Sequence, residues 1–558
     1  MAEQIAQDHQ LQRRLTNRHV QLIAIGGAIG TGLFMGSGKT ISLAGPGVLL
    51  VYAIIGGVLF LVMRALGEVL LSNLEYKSFA DVAHDLIGPW AGFFTGWTYY
   101  VCWLVTAIAE VIAITEYVSF WWPDLPLWVA PTATVALLLG LNLTTVQAFG
   151  EIEFWFSIIK IVAIIALVVI GIVMVAVGFH SPGGVQASVA NLWNGGDLFP
   201  NGFHGFVGAF QIAVFAFVGT ELIGTAAAEA KDPEVTLPKA INAIPVRILI
   251  FYLGALAAIM AVTPWWEVSS ETSPFVSMFA LAGLGVAAGA VNFVVLTAAA
   301  SSANSGIYST SRMLFGLSWA EHAPRVFRGL TARSVPGPAL LMTCGALLTS
   351  IPLLYVSSSI MRAFVAVTTV ASVLFILVWC VIIVSYLRFR SLRPELHEAG
   401  AFRLPGGRVA AWGTLAFFAF VTWTLTLADD TRLAVLLTPL WLVILAVIFT
   451  VLPFLPTDVE GQPVTLIGRL HLVAAIAWFS IAYSCMGNIV RLLAPLAPRG
   501  LVSFLGVTRW ATAAALIALV TALVVHRLRP YAFGIAERIF LLAVYVFYLG
   551  AAAGLLLV

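Results

Sequence analysis

Long apolar stretches separated by short polar segments make up almost all of this 558-residue chain. Each stretch approaches or exceeds the roughly 20 residues that an α-helix needs to cross the hydrocarbon core of a bilayer. Twelve stretches lie at roughly 20–44, 46–71, 91–119, 127–147, 154–178, 204–229, 240–262, 276–306, 338–356, 361–387, 409–428 and 432–454, and three more at 467–490, 508–526 and 536–557. The pattern predicts an all-α polytopic membrane protein embedded in a lipid bilayer.

Polar segments divide the chain into a tail at 1–19, a twelve-span domain at 20–455 and a three-span extension at 460–558. Over the first ten spans, segments rich in Lys and Arg alternate with segments that lack both residues. Because cytoplasmic loops carry an excess of Lys and Arg, this alternation predicts that the N-terminus is cytoplasmic.

Composition excludes several classes of function. Hydrophobic residues make up 61% of the chain and charged residues 10%, which a soluble protein could not bury. The net charge of +2 gives no indication of a nucleic-acid partner. The four cysteines form no CxxC pair and the nine histidines no metal-spaced cluster, so we expect no metal and no bound cofactor. No catalytic grouping is visible either, and we expect the protein not to be an enzyme.

The glycine-rich stretch IAIGGAIGTGLFMGSGKT, residues 23–40, interrupts the first span. It is not a phosphate-binding loop, because Leu33 stands where that motif needs a glycine. Four glycines lie between positions 26 and 32, and each costs roughly 1 kcal/mol relative to alanine inside a helix. The sequence therefore predicts a broken helix, although glycines that only allow close helix packing remain an alternative.

A second weak point lies in the sixth span, where FAFVGTELIG contains Gly219 and Glu221. Each weak point lies in the first of five consecutive spans. Because five is an odd number, the second group of five must have the opposite orientation in the membrane from the first. This is the layout of an inverted repeat, whose substrate site lies between two broken helices. Free amides at such a break bind a carboxylate, and free carbonyls bind an ammonium group. A site of this kind suits α-amino acids.

Ionisable residues inside spans are functional candidates by default. Lys160 in the fifth span either exchanges a proton during transport or snorkels to the interface. Glu221 either binds the substrate ammonium, carries a proton or ties down loose backbone amides. Glu110 in the third span is a further candidate for proton coupling, and Glu153 is expected to touch only the membrane interface.

The motifs RRLTNRHVQLIAIGGAIGTGLFMGSGKTISLAGP, GEVLLSNLEYKSFADVA, FVGTELIGTAAAEAKDPE and SSANSGIYSTSRMLFGL carry a family resemblance. Over roughly residues 10–450 the chain resembles bacterial amino-acid permeases of the amino acid–polyamine–organocation superfamily. The resemblance implies the leucine-transporter fold, a 5+5 inverted repeat with broken helices 1 and 6 followed by spans 11 and 12. The part at 460–558 departs from this pattern and only weakly resembles a small bacterial membrane domain of unknown function.

The resemblance also implies an activity and a site. It implies proton-driven import of small neutral amino acids across a bacterial inner membrane, with glycine, D-alanine and D-serine as expected substrates and L-alanine and D-cycloserine as further ones. The resemblance implies a lysine in the fifth span at the position where sodium-coupled relatives bind sodium, and Lys160 matches that lysine. The substrate residues carried over are Ile29, Gly30, Thr31, Gly32, Phe215, Phe217, Gly219 and Glu221. The alternatives are an amino-acid exchanger, a permease for another amino-acid class and a transporter-like sensor.

Overall fold

The structure is a computed structural model of the chain. It describes residues 30–428 except 77, 144–145, 194–197, 223–231, 320–321 and 332, together with 499–524 and a few positions between 431 and 547. The described residues form helices and connecting turns, and their one extended pairing is an isolated bridge between His180 and Gln186. The predicted all-α class is confirmed.

In the N-terminal half, short helices near the first interruption are followed by long membrane helices. They are α1 Thr31–Phe34, α2 Gly36–Ala44, α3 Val48–Ser72, α4 Phe79–Leu86, α5 Pro89–Ser119, α6 Val129–Asn142, α7 Val146–Ala176 and α8 Gly202–Ala213. A 3₁₀ turn at Gly45–Gly47 separates α2 from α3, and Gly45 has a φ of 57°, a conformation that glycine adopts without strain.

The C-terminal half continues the same pattern. Its helices are α9 Pro233–Asn242, α10 Ile244–Arg247, α11 Ala255–Val262, α12 Pro274–Leu281, α13 Gly285–Trp319, α14 Gly337–Leu347, α15 Ser350–Val356, α16 Ile360–Leu392, α17 Pro394–Ala399, α18 Gly407–Thr424 and α19 Arg499–Val524. A π-helical segment, Ile248–Gly254, joins α10 to α11.

Among the described residues, eight helical segments are long and apolar enough to cross a membrane, and α6 and the segment Gly202–Phe217 are shorter apolar helices. The predicted spans at 432–454, 467–490 and 536–557 lie almost wholly outside the described residues. The predicted span at 508–526 overlaps α19 over residues 508–524, and its last two residues lie outside the described ones.

The chain divides into two compact units. The first comprises residues 1–350 and 367–431, and the second comprises 351–366 and 432–558. In the second unit, the Thr508 hydroxyl bonds back to the Phe504 carbonyl within α19, and Thr512 does the same with Thr508. Polar side chains of an apolar helix are satisfied in this way without leaving the helix.

The charged residues of α3 are held by neighbouring segments of the first unit. Glu68 is 4% exposed, accepts a bond from the Leu404 amide at 2.6 Å and lies 2.5 Å from His397 Nδ1. Arg64 donates to the Asn242 side chain at 3.0 Å. Because these groups already have protein partners, we do not count them among the candidate ligand-binding residues.

Candidate substrate-binding site

The predicted interruption in the sixth span is present. Helix α8 tightens into a 3₁₀ turn at Val214–Phe217, after which Val218 leaves the helical conformation with a ψ of 138°. Gly219 follows with a φ of 97°, which side-chain-bearing residues rarely adopt. The helix therefore ends where the sequence predicted.

The first span is irregular at its described beginning. Gly30 is extended, with φ −125° and ψ −165°, and α1 begins directly after it. The amides of Leu33 and Phe34 both bond to the Gly30 carbonyl. The amides of Thr31 and Gly32 precede the first intrahelical bond, so they belong to the donors that a helix leaves unused at its start. Ile29 and most of the predicted interruption of the first span lie outside the described residues, so that interruption stays a prediction.

Helix α1 and the 3₁₀ turn of the sixth span cross with their backbones in contact. A Cβ placed on Gly32 would lie 2.6 Å from Ala216 Cα and 2.8 Å from the Phe215 carbonyl oxygen. Real Cβ atoms are not found at such distances. The glycine at 32 is therefore required by the close approach of the 3₁₀ turn, and the crossing places the first and sixth spans at one site.

A small cavity lies beside this crossing. Its volume is about 10 Å³, room for about one water molecule. Helix α1, the 3₁₀ turn, α5 and α13 supply its walls, formed by Gly30, Gly32, Trp103, Thr106, Glu110, Phe215, Ala216, Val218 and Ser302. In this conformation an amino acid enters only if the walls move apart.

Glu110 faces the crossing from α5. Its side chain is 2% exposed, and a Cβ on Gly30 would lie 2.9 Å from Glu110 Oε1 and 3.3 Å from Ser302 Oγ. Glu110 Oε2 and Thr31 Oγ1 are buried without hydrogen-bond partners among the described residues. Buried polar atoms are normally paired, so an unpaired carboxylate oxygen at a cavity indicates a functional position.

Glu221 is equally buried but makes different contacts. Its Oε2 accepts a bond from the Gly219 amide at 3.2 Å and its Oε1 accepts one from the Tyr99 hydroxyl at 3.3 Å. It does not line the cavity. Of the roles weighed from the sequence, the contacts match the one in which Glu221 ties down loose backbone. A part in proton coupling stays a prediction.

The two aromatic candidates of the sixth span point in different directions. Phe215 lines the cavity, whereas Phe217 stacks on Tyr252 with ring centroids 4.7 Å apart and an angle of 7°. Sequence reasoning missed Trp103 and Thr106, which line the cavity from α5. They precede Glu110 by seven and four residues, a spacing that places all three on one face of a helix.

Lys160 is fully buried in α7, which excludes snorkelling to the interface. The charges that act on it most strongly are those of Glu153 and Glu110. The expectation that Glu153 touches the interface is wrong, because its side chain is 1% exposed and accepts a 2.7 Å bond from the Ser301 hydroxyl. A carboxylate this close to the end of a span can still be buried when a neighbouring helix covers it.

Residues 19–453 match the amino acid permease family. The chain belongs to that family. It is 60% identical over 443 residues to the D-serine/D-alanine/glycine transporter of Escherichia coli, an alignment that covers 79% of this chain and 94% of the relative. It is 47% identical to the amino-acid permease AapA of Bacillus subtilis, covering 80% and 96%. It is 41% identical to an aromatic amino acid transport protein of Escherichia coli, covering 78% and 95%.

The comparisons confirm the resemblance found in the sequence motifs. The permease is a multi-pass membrane transporter of amino acids and not an enzyme. Its helical architecture with an interrupted sixth span fits the leucine-transporter fold, while the internal 5+5 repeat stays a prediction. The family match ends at residue 453, so it assigns no role to the C-terminal extension.

Proposed function

We propose that the permease imports small neutral amino acids, with glycine, D-alanine and D-serine as its main substrates, across the bacterial inner membrane by proton symport. L-Alanine and D-cycloserine are further substrates of the same route. The observation that carries the proposal is the carboxylate of Glu110 facing Gly30 where α1 crosses the interrupted sixth span. The identity to the D-serine/D-alanine/glycine transporter supports the choice of substrates.

The start of α1 suits the substrate carboxylate. The amides of Thr31 and Gly32 point out of the first turn, and Gly30 leaves the approach to them free of a side chain. The carbonyls of the interrupted sixth span accept hydrogen bonds from the substrate ammonium group. Trp103 and Phe215 stand over the same cavity, and their bulk favours a small side chain on the substrate.

Coupling follows from the position of Glu110. The substrate carboxylate and an ionised Glu110 would approach the same region beside Gly30, and two negative charges at short range in a water-poor site repel strongly. A proton on Glu110 removes that repulsion. Binding of substrate and binding of this proton therefore favour each other, which is the requirement for symport. Lys160, whose charge interacts with Glu110, takes part in returning the proton.

Uptake into proteoliposomes tests the proposal. Radiolabelled glycine, D-alanine and D-serine should accumulate when the outside is acidic, and an uncoupler should abolish accumulation. Replacing sodium by potassium should have no effect. Sodium dependence would overturn proton coupling. Uptake that needs an internal amino acid would identify an exchanger, the absence of any flux in counterflow would identify a sensor, and a preference for leucine or tryptophan would overturn the substrate class.

A further inference from the structure

Two buried charged residues of α7 lie on one face of the helix. Glu153 and Lys160 are seven residues apart, about two turns, and are 1% and 0% exposed. Helical side chains lean toward the N-terminal end of their helix. The long side chain of Lys160 therefore leans toward the turn that carries Glu153.

Helix α13 joins this pair to the substrate cavity. The Ser301 hydroxyl donates to Glu153 Oε1 at 2.7 Å, and the next residue, Ser302, lines the cavity beside Glu110. Among the described residues, the charged groups that act on Lys160 are Glu153 and Glu110. The lysine thus interacts with a carboxyl group at the cavity and with a second one nearer the N-terminus of α7.

The second oxygen of Glu153 is available. Glu153 Oε2 is buried and has no hydrogen-bond partner among the residues that the structure describes. The buried hydroxyl of Ser305, one turn after Ser301 on α13, also lies beside this carboxylate. A carboxylate needed only to hold a static ion pair would be expected to have both oxygens satisfied.

We propose that Glu153 accepts the transported proton from Lys160 and releases it toward the N-terminal end of α7. The inference rests on the proposed proton symport and extends it by one residue. In the step, the Lys160 ammonium moves to within hydrogen-bonding distance of Glu153 Oε2, an N–H bond of the ammonium breaks and an O–H bond forms on Oε2. An ammonium and a carboxylate thereby become an amine and a carboxylic acid. Water at the end of α7 then takes the proton from Glu153, and Lys160 regains one from Glu110.

The test uses the full-length permease with Glu153→Gln in proteoliposomes. Glutamine keeps the size of the side chain and an oxygen to accept the Ser301 bond, but it cannot carry the proton. Accumulation against a gradient should fall about a hundred-fold, the scale of a lost proton-transfer group, and its dependence on internal pH should disappear. Counterflow of substrate at equal concentrations should stay within about two-fold of the wild type, since binding is unchanged.

Glu151→Gln is the matched control, because Glu151 lies on the same helix two residues earlier and is partly exposed. It should retain both activities, and Glu153→Asp should restore part of the accumulation. Full accumulation with wild-type pH dependence in Glu153→Gln would overturn the inference. Equal loss of accumulation and counterflow would also overturn it, since that is the result of a structural role. Uncoupler-insensitive accumulation by the wild type would instead overturn the proposed symport.

Discussion

Two glycine-containing segments of the permease, the start of α1 at Gly30 and the interruption of the sixth span at Gly219, each have a buried glutamate beside them, and the two glutamates behave differently. Near Gly219, both carboxylate oxygens of Glu221 accept hydrogen bonds from the protein, one from the Gly219 amide and one from the Tyr99 hydroxyl. Near Gly30, Glu110 keeps Oε2 without a partner among the described residues and faces a cavity.

The difference in hydrogen bonding indicates a structural role for Glu221 and a ligand- or proton-binding role for Glu110. Both side chains are almost completely buried, at 2% for Glu110 and 0% for Glu221, so burial alone does not distinguish them. A carboxylate with both oxygens paired stabilises the irregular backbone on which it acts. One with an unpaired oxygen at a cavity is able to respond to a ligand or a proton.

The largest expected effect is on Gly30 and Gly219, where the same substitution should impair transport at one position and folding at the other. Gly30→Val should abolish uptake while folded protein remains, because even a Cβ would lie 2.9 Å from Glu110 Oε1. Gly219→Val should instead reduce the yield of folded protein, since valine at a φ of 97° is strained by about 1–3 kcal/mol. Radiolabelled uptake and size-exclusion profiles measure both. Gly57→Val is the control, because a Cβ there meets nothing within 4 Å. Near-normal uptake by Gly30→Val would refute the assignment of the substrate site to Gly30.

Neutralising each glutamate sharpens the comparison. Glu110→Gln should lower proton-driven uptake about a hundred-fold with little change in thermal stability. Glu221→Gln should lower stability by about 1–3 kcal/mol, because glutamine has one accepting oxygen instead of two and loses the negative charge that strengthens the bonds from the Gly219 amide and the Tyr99 hydroxyl. Uptake per folded molecule should fall far less in that variant. The reverse pattern in transport and melting assays would exchange the roles given to the two residues.

Substrate selectivity provides a smaller effect. Trp103→Phe should raise leucine uptake relative to glycine about ten-fold, because the change enlarges a cavity wall. Phe217→Leu should leave selectivity as it is and cost about 1 kcal/mol of stability by removing the stacked pair with Tyr252. Competition by unlabelled amino acids reports the selectivity of each. Broadened selectivity in Phe217→Leu alone would instead identify Phe217 as the wall that limits substrate size.

The smallest effect belongs to a carboxylate outside the membrane spans. The hydrogen bond from the Tyr76 hydroxyl, and after it the Arg393 guanidinium at 2.7 Å, holds the pKa of Asp85 below the usual range of an aspartate. Stability from this lowered pKa is present at neutral pH and is lost as the pH falls through the folded-state value. Because the Asp85 side chain is 39% exposed, solvent screening limits the loss in Asp85→Asn to under about 1 kcal/mol. Denaturation of both proteins in the acid range should show the weaker pH dependence in the variant.

The sequence was sufficient for the features that depend on local backbone chemistry. The break at Gly219 was predictable because glycine and a glutamate interrupt an otherwise apolar span. The burial of Lys160 was one of two alternatives, since the position of a lysine along a span leaves snorkelling open and only the packing of neighbouring helices decides it.

Features that depend on which helix faces which were not predictable. Glu153 lies near the start of its span, and only the position of Ser301 on a distant helix shows that it is buried. The directions of Phe215 and Phe217 depend on the local change from α to 3₁₀ geometry, which rotates neighbouring side chains. The helical spacing of Trp103 and Thr106 from Glu110 indicates that the three residues share one face of α5. The spacing alone does not show which helices that face packs against.

The contact between Gly32 and Ala216 also limits which sequences this permease can sample. At position 32 every other residue type adds at least a Cβ, which would lie 2.6 Å from a main-chain atom that cannot be repacked. At Gly57 and Gly140 the same added atom meets nothing within 4 Å. A saturation library selected for growth on a transported amino acid would therefore keep diversity at the latter two positions and return to a single codon family at the former. The crossing is a point where mutational drift is blocked by backbone geometry, whatever substrate the surrounding walls come to select.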